Sequence, residues 1–209
     1  MQAAKTRILV KPLCGTERGN WLNPTLITSL IAMSHDQRFD VTVEPAFGMA
    51  PVDYARNTCV ATARDRGFDW LLMIDNDQAV PVSLLDIVAE AGPQIDVVAL
   101  ACGIGSKDGH SFMLNADFIR DKAIGNFMGI SKAGSGVMLL RNSVWRTFPK
   151  GPWFVTEQNN DELRSLKQGE DIFFCGLCCA AGLQLWTHRM GCGHLKTADI
   201  TQFAVPPRR

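Results

Sequence analysis

A chain of 209 residues, 46% apolar and 20% charged, is long enough to bury one substantial core, and its composition excludes a disordered protein. Lys+Arg and Asp+Glu both total 21, so composition builds no strongly basic nucleic-acid surface, although a local patch such as Arg141, Arg146 and Lys150 would suffice for one. Leu26 to Met33 is too short to span a bilayer and no signal-like segment precedes it, which predicts a cytoplasmic protein without a transmembrane segment.

Arg7-Ile-Leu-Val-Lys-Pro-Leu13 reads as a first buried strand, closed by the turn-like stretch Cys14 to Asn20. Asn23-Pro24 has the pattern of an N-cap followed by proline at the first helical position, and predicts a helix to about His35. Val41 to Glu44 is a second strand. Pro51 opens a helix over Val52 to Arg66 that Gly67 ends, and Asp69 to Ile74 is an apolar strand. Pro81 to Ala91 has helical spacing at Leu84, Leu85 and Val88, and Asp96 to Ala101 is another buried strand. Alternation of strand and helix predicts the α/β class, with a doubly wound, mostly parallel central sheet flanked by helices.

Gly103 to Gly129 carries charges and few periodic apolar positions, and is expected to form loops and a short helix near the site. Gly134 to Arg141 reads as a strand, Asn142 to Phe148 as a helix and Gly151 to Gly169 as a polar loop. A helix over Asp171 to Ala181, ended by Gly182, and a short strand over Gln184 to His188 complete the pattern before a frayed tail.

Chemistry concentrates at Asp75-Asn76-Asp77. Side chains alternate along a strand, so the two carboxylates can share a face at the strand's end, where open α/β sheets bind ligands. They offer hard oxygen ligands for a cation that carries phosphates, or simply turn-capping groups. Asp53, Arg56 and Asn57 share one helical face by their i, i+3, i+4 spacing. Arg56 could hold a diphosphate, fix an aspartate of the pair, or belong to a solvated face. Gly134-Ser135-Gly136 permits close backbone approach, either as a wall against a ligand or as a bulge.

Glu170 and Asp171 stand at a predicted helix start, as first-turn acids or as a general base. His194, in Gly191-Cys-Gly-His-Leu-Lys196, is a candidate metal ligand or a surface residue, with Lys196 able to neutralise phosphate. Trp153 is either a sugar-stacking platform or a core plug. The seven cysteines fit buried thiols in a reducing compartment. Cys175-x2-Cys178-x9-His188-x3-Cys192 resembles zinc spacing, but its first cysteines fall inside a predicted helix with no knuckle turn.

In order and spacing, these motifs resemble the GT-A-type glycosyltransferases, specifically small family-2-like members of bacteria and phages. The landmarks are Ala55-Arg-Asn57, Asp69 to Asp77, Gly134 to Arg141, Glu170 to Cys175, Gly182 to Leu185 and Gly193-His194, spread over Arg7 to Thr197. The resemblance implies a single domain with a nucleotide-binding half over about 1–101, a donor-sugar and acceptor half over about 102–197 and a tail over 198–209. It implies Mn²⁺ or Mg²⁺ bound by Asp75, Asp77 and His194, with Asp77 the more direct ligand.

By the same resemblance, Pro12 and Leu13 meet the nucleoside, Gly134, Ser135 and Gly136 line the donor sugar, and Asp171 is the base of inverting members, with Glu170 beside it. Arg56, Asn57 and Lys196 complete the expected donor site. The expected reaction moves a sugar from a nucleotide-diphosphate sugar to a hydroxyl of a glycan, a small molecule or a modified base in phage DNA. Two other readings compete: a sugar-nucleotide nucleotidyltransferase, and a non-catalytic binding module stapled by zinc.

Overall fold

The run Ile8-Leu9-Val10 is fully buried because helices cover both faces of the sheet to which it belongs. The computed structural model describes residues 4–14, 22–101, 103–105, 112–114, 116–158 and 166–194. The first half comprises β1 (Arg7–Cys14), α1 (Pro24–Ser34), β2 (Asp40–Val43), β3 (Ala46–Phe47), α2 (Val52–Asp65) and β4 (Trp70–Asp75). β5 (Gln78–Ala79), α3 (Asp86–Glu90), β6 (Val97–Ala99), β7 (Gly103–Gly105) and β8 (Phe112–Leu114) follow. A hairpin of β9 (Ala116–Ile124) and β10 (Phe127–Ala133) leads to β11 (Val137–Arg141) and α4 (Ser143–Thr147). The last elements are β12 (Glu157–Gln158), β13 (Leu166–Gln168), α5 (Glu170–Ala180), β14 (Leu185–His188) and β15 (Gly193–His194).

The main sheet has the order β2-β1-β4-β11-β6-β14-β10-β9, with β3 also pairing with β1. β1 runs parallel to β2, β3 and β4, and β14 runs parallel to β6. β11 lies antiparallel between β4 and β6, and β10 is antiparallel to β14 and β9. The class is α/β, and most strands of this mixed sheet share one direction.

Residues alternate between its faces with the strand period of two. Leu9, Leu71, Met73, Val97, Met138 and Leu140 pack with α2, α4 and α5. Ile8, Val10, Leu72, Ile74, Val98 and Leu139 pack with α1 and α3. Asn23 caps α1 by accepting from the Leu26 amide at 2.7 Å, with Pro24 at the first helical position. Beyond α2, Gly67 takes φ +67, a left-handed turn open to glycine at no steric cost.

Two sequence expectations are corrected. Gly103 to Gly129 is not loops and a short helix: its described residues form β7, β8, β9 and the start of β10. β9 sits at the sheet edge with most residues exposed, so no apolar alternation marks it as a strand. Gly134 to Gly136 precedes β11 instead of forming its start, and β11 is reversed relative to its neighbours. A strand buried on both faces is apolar whichever way it runs, so its composition carries no direction.

Cys14, Cys59, Cys175 and Cys178 are buried thiols, as expected; Cys179 is exposed and Cys192 is half-buried. Burial raises the thiol pKa of Cys59 and of Cys175 to about 11 each. Cys102 lies outside the described residues.

Lys11 on β1 is only 8% exposed and places its ammonium 3.1 Å from Glu44. Arg66, and after it Lys11, hold the Glu44 carboxyl below its ordinary pKa. A depressed carboxylate pKa adds stability above the unfolded-state value, and that stability is lost as pH falls through the folded-state value. Glu44→Gln should therefore cost about 1 kcal/mol at neutral pH, a modest figure because the carboxylate is half in solvent. Denaturant titration across pH should show the difference from wild type vanish in acid.

Candidate active site

β1 and β4 end together, with Leu13 paired to Asp75 across the parallel ladder. The Asp75 amide donates to the Gly136 carbonyl at 2.8 Å, and the Asn76 amide to the Leu13 carbonyl at 3.1 Å. Because β11 is antiparallel to β4, its entry turn lies at the carboxyl edge of β4. That reversal brings Gly134 to Gly136 to the aspartates.

Arg56 projects from α2 into this edge and is 2% exposed. Its Nη2 donates to both Asp75 oxygens, at 3.0 and 3.3 Å. Nη1 donates to the Ser135 carbonyl at 3.2 Å, and Nε reaches Glu170 Oε1 at 3.4 Å. One guanidinium thus ties together α2, the end of β4, the turn before β11 and the start of α5.

Asp75 has its pKa raised, first by burial; Arg56 opposes the shift, and the nearby charges of Asp77 and Glu170 add to it. Asp75, Asp77 and Glu170 thus gather acidic side chains around the Arg56 guanidinium at the sheet edge. Asp77 accepts from Gln78 Nε2 at 3.2 Å, and Gln78 is itself buried. Asn23 Nδ2 donates to the carbonyls of Asn76 and Gln78, at 2.8 and 3.0 Å, fixing the backbone between the two aspartates and just beyond them.

β15 pairs antiparallel with β5, setting His194 opposite Gln78, the residue after Asp77. This pairing sets the His194 main chain one residue past Asp77 along the neighbouring strand. Lys196 lies outside the described residues.

The donor set suits a divalent cation of the Mg²⁺ or Mn²⁺ kind, which takes hard oxygens and completes its shell with water and substrate phosphates. Among the described residues, no three His, Cys, Asp or Glu side chains converge as a ready-made cage. Two carboxylates at a strand end are compatible with a metal that arrives with a diphosphate.

Glu170 and Asp171 occupy the first turn of α5, where the helix dipole favours negative charge. The Asp171 carboxylate accepts from the Ile172 amide at 2.7 Å. A cleft of about 660 Å³ runs along α5 beside β10, lined by Ser131, Lys132, Gly169, Ile172 and Gly176 among others. Gly169 and Ile172 bring its lining to this turn.

Several expected site residues do other work. Asn57 accepts from the amides of Trp153 and Phe154, at 2.8 and 3.1 Å, and donates to the Phe154 carbonyl at 2.7 Å. It pegs a loop; both ends of its amide are used there. Asp53, one turn earlier, accepts from the Thr156 amide at 3.3 Å.

Trp153 is 3% exposed, its indole N–H donating to the Phe148 carbonyl at 3.0 Å and Arg64 lying over its ring. It is the core plug, since an enclosed ring has no open face for a sugar. Pro12 and Leu13 are likewise buried, so their side chains do not present a nucleoside surface.

The zinc spacing does not produce a site. Cys175 and Cys178 are buried within α5, whereas His188 on β14 bonds Glu90 and Cys192 bonds Gln78. Arg141 is also withdrawn from any basic patch: it donates to the Ala91 and Gly92 carbonyls and stacks on Trp70.

Sequence reasoning missed Gln78 and the second role of Asn23. The signal for Gln78 was a polar residue directly after the aspartate pair; the room that Gly136 leaves for it exists only in the fold.

No family model and no curated protein matches this chain. Solved structures do. A protein of STIV superposes with a TM-score of 0.58 at 14% identity, over 91% of this chain and 86% of that one. A mutant Drosophila beta-1,4-galactosyltransferase 7, in complex with manganese, UDP-Gal and xylobiose, gives 0.51 at 12% identity, over 98% and 76%.

A Cβ on Gly136 would lie 2.9 Å from Gln78 Nε2, the atom that holds Asp77. Gly136→Ala should displace this flexible amide from Asp77 while changing the melting temperature little, read by thermal denaturation. Asn57→Ala should destabilise the fold by roughly 2–3 kcal/mol in chemical denaturation, because it strands backbone groups of the 153–154 loop. By its architecture and its neighbours, the chain has the α/β fold of GT-A-type glycosyltransferases.

Proposed function

We propose that this chain is a metal-dependent glycosyltransferase that moves a sugar from a nucleotide-diphosphate sugar to an acceptor hydroxyl. The observation that carries the reading is the meeting of Asp75 and Asp77, at the end of β4, with the acidic first turn of α5. Ligands of open α/β sheets bind beyond the carboxyl ends of strands, and at this edge the aspartate pair would bind the cation while the α5 first turn would supply the base. The galactosyltransferase of like fold, crystallised with manganese and UDP-Gal, supports a sugar nucleotide as donor and Mn²⁺ or Mg²⁺ as cofactor.

Asp75 and Asp77 would hold the metal, with Asp77 the more direct ligand because Arg56 already engages both oxygens of Asp75. His194 would complete the shell. When bound, the cation supplies Lewis-acid stabilisation of the departing diphosphate. Lys196 would neutralise phosphate charge. Main-chain atoms of Gly134, Ser135 and Gly136 would line the donor sugar, in keeping with Ser135 being buried beside Arg56.

Asp171 would take the proton from the acceptor hydroxyl in an inverting transfer. The cleft that Gly169 lines is a route for the acceptor to that turn. No helix among the described residues is long and apolar enough to cross a membrane, and a cytoplasmic setting is part of the proposal.

Asp77→Ala should abolish Mn²⁺-dependent binding of nucleoside diphosphates in a thermal-shift panel run with and without MnCl₂. Unchanged metal-dependent binding in that variant would sink the assignment. Asp171→Asn should lower turnover about 10²–10⁴-fold while leaving that binding intact, as loss of a general base requires.

A further inference from the structure

Resting on the glycosyl-transfer reading, we infer that Arg56 is a positioning residue that sets the α5 first turn against the aspartate pair, making Glu170 its tether and leaving Asp171 as the base. Arg56 is 2% exposed, and each of its donating nitrogens already has a protein acceptor. Enclosed to that degree, it offers a diphosphate almost no accessible surface. Its partners come from segments distant in sequence: Asp75 is 19 residues away, Ser135 79 and Glu170 114. Local structure therefore does not join the aspartate pair to the α5 first turn; the guanidinium is the side chain that bridges them.

Glu170 is the fitting tether. Its side chain is 15% exposed and faces Arg56 Nε, whereas Asp171 accepts from the amide of its own neighbour, Ile172. The fork matters more than the charge. Lysine at position 56 would supply one compact ammonium where three acceptors of different direction must be met. Reactive groups misplaced by about 1 Å can lose roughly 10²-fold in rate without losing their ligands.

The test is a double-mutant cycle of Arg56→Lys and Glu170→Ala, with melting temperature recorded for each variant. Binding of UDP, GDP, CDP and ADP is measured in MnCl₂. Turnover is measured on the nucleotide sugar of the nucleotide that binds best, with transfer to water or to an added sugar. Each single variant should lose about 10–100-fold in kcat while nucleotide affinity stays within about threefold, and the double variant should be no slower than the slower single one.

Multiplicative losses in the double variant overturn the inference. So does a loss that falls mainly on nucleotide affinity, which marks Arg56 as a direct donor ligand. If Arg56→Lys does not fold, Glu170→Ala carries the test alone, and full kcat in that variant overturns the tether. A folded wild type that binds none of the four nucleotides in MnCl₂ overturns the glycosyl-transfer reading itself, and this inference with it.

Discussion

A guanidinium cut off from water must be matched by acceptors, because an unpaired buried charge costs several kcal/mol. Arg56 meets that demand by drawing two carboxylates and a main-chain carbonyl onto one side chain. The same contacts place the end of β4, the turn before β11 and the start of α5 around a common point. Satisfying a buried cation and assembling the candidate site are here one physical event.

The direction of β11 is the second constraint. Were it parallel to β4, its entry turn would lie at the far edge of the sheet, a strand length or roughly 17–20 Å from the aspartates. Antiparallel insertion delivers Gly136 to Asp75 instead, and the missing Cβ of that glycine leaves space for the Gln78 amide to hold Asp77. α2 carries both kinds of work on adjacent residues. Arg56 enters the charged site, while Asn57 pegs the 153–154 loop and thereby helps keep Trp153 inside the core.

Much of the frame was legible because it follows from local rules. Asn23-Pro24 announces α1, Gly67 ends α2, and the run Trp70 to Ile74 can only be buried from both sides. The aspartate pair was legible because a strand's end in an α/β sheet is a place where ligands bind. The hairpin β9 and β10 was not, since an edge strand facing solvent shows no apolar period. Trp153 was ambiguous for a similar reason: an aromatic after Gly-Pro suits a core and a sugar platform equally, and only its enclosure separates the two.

Sequence by itself determined the α/β class and the order of most elements, and it named Arg56, Asp75, Asp77, Glu170 and Asp171 as candidates. Tertiary structure decided how they are used. It reversed β11, joined Arg56 to residues 19, 79 and 114 positions away, and turned Asn57 and Trp153 from candidate ligand contacts into supports. The reason is the range of the forces. Propensity and periodicity act over a few residues and leave their mark in the chain, whereas the partners of a buried charge and the direction of a buried strand are settled only when distant segments pack.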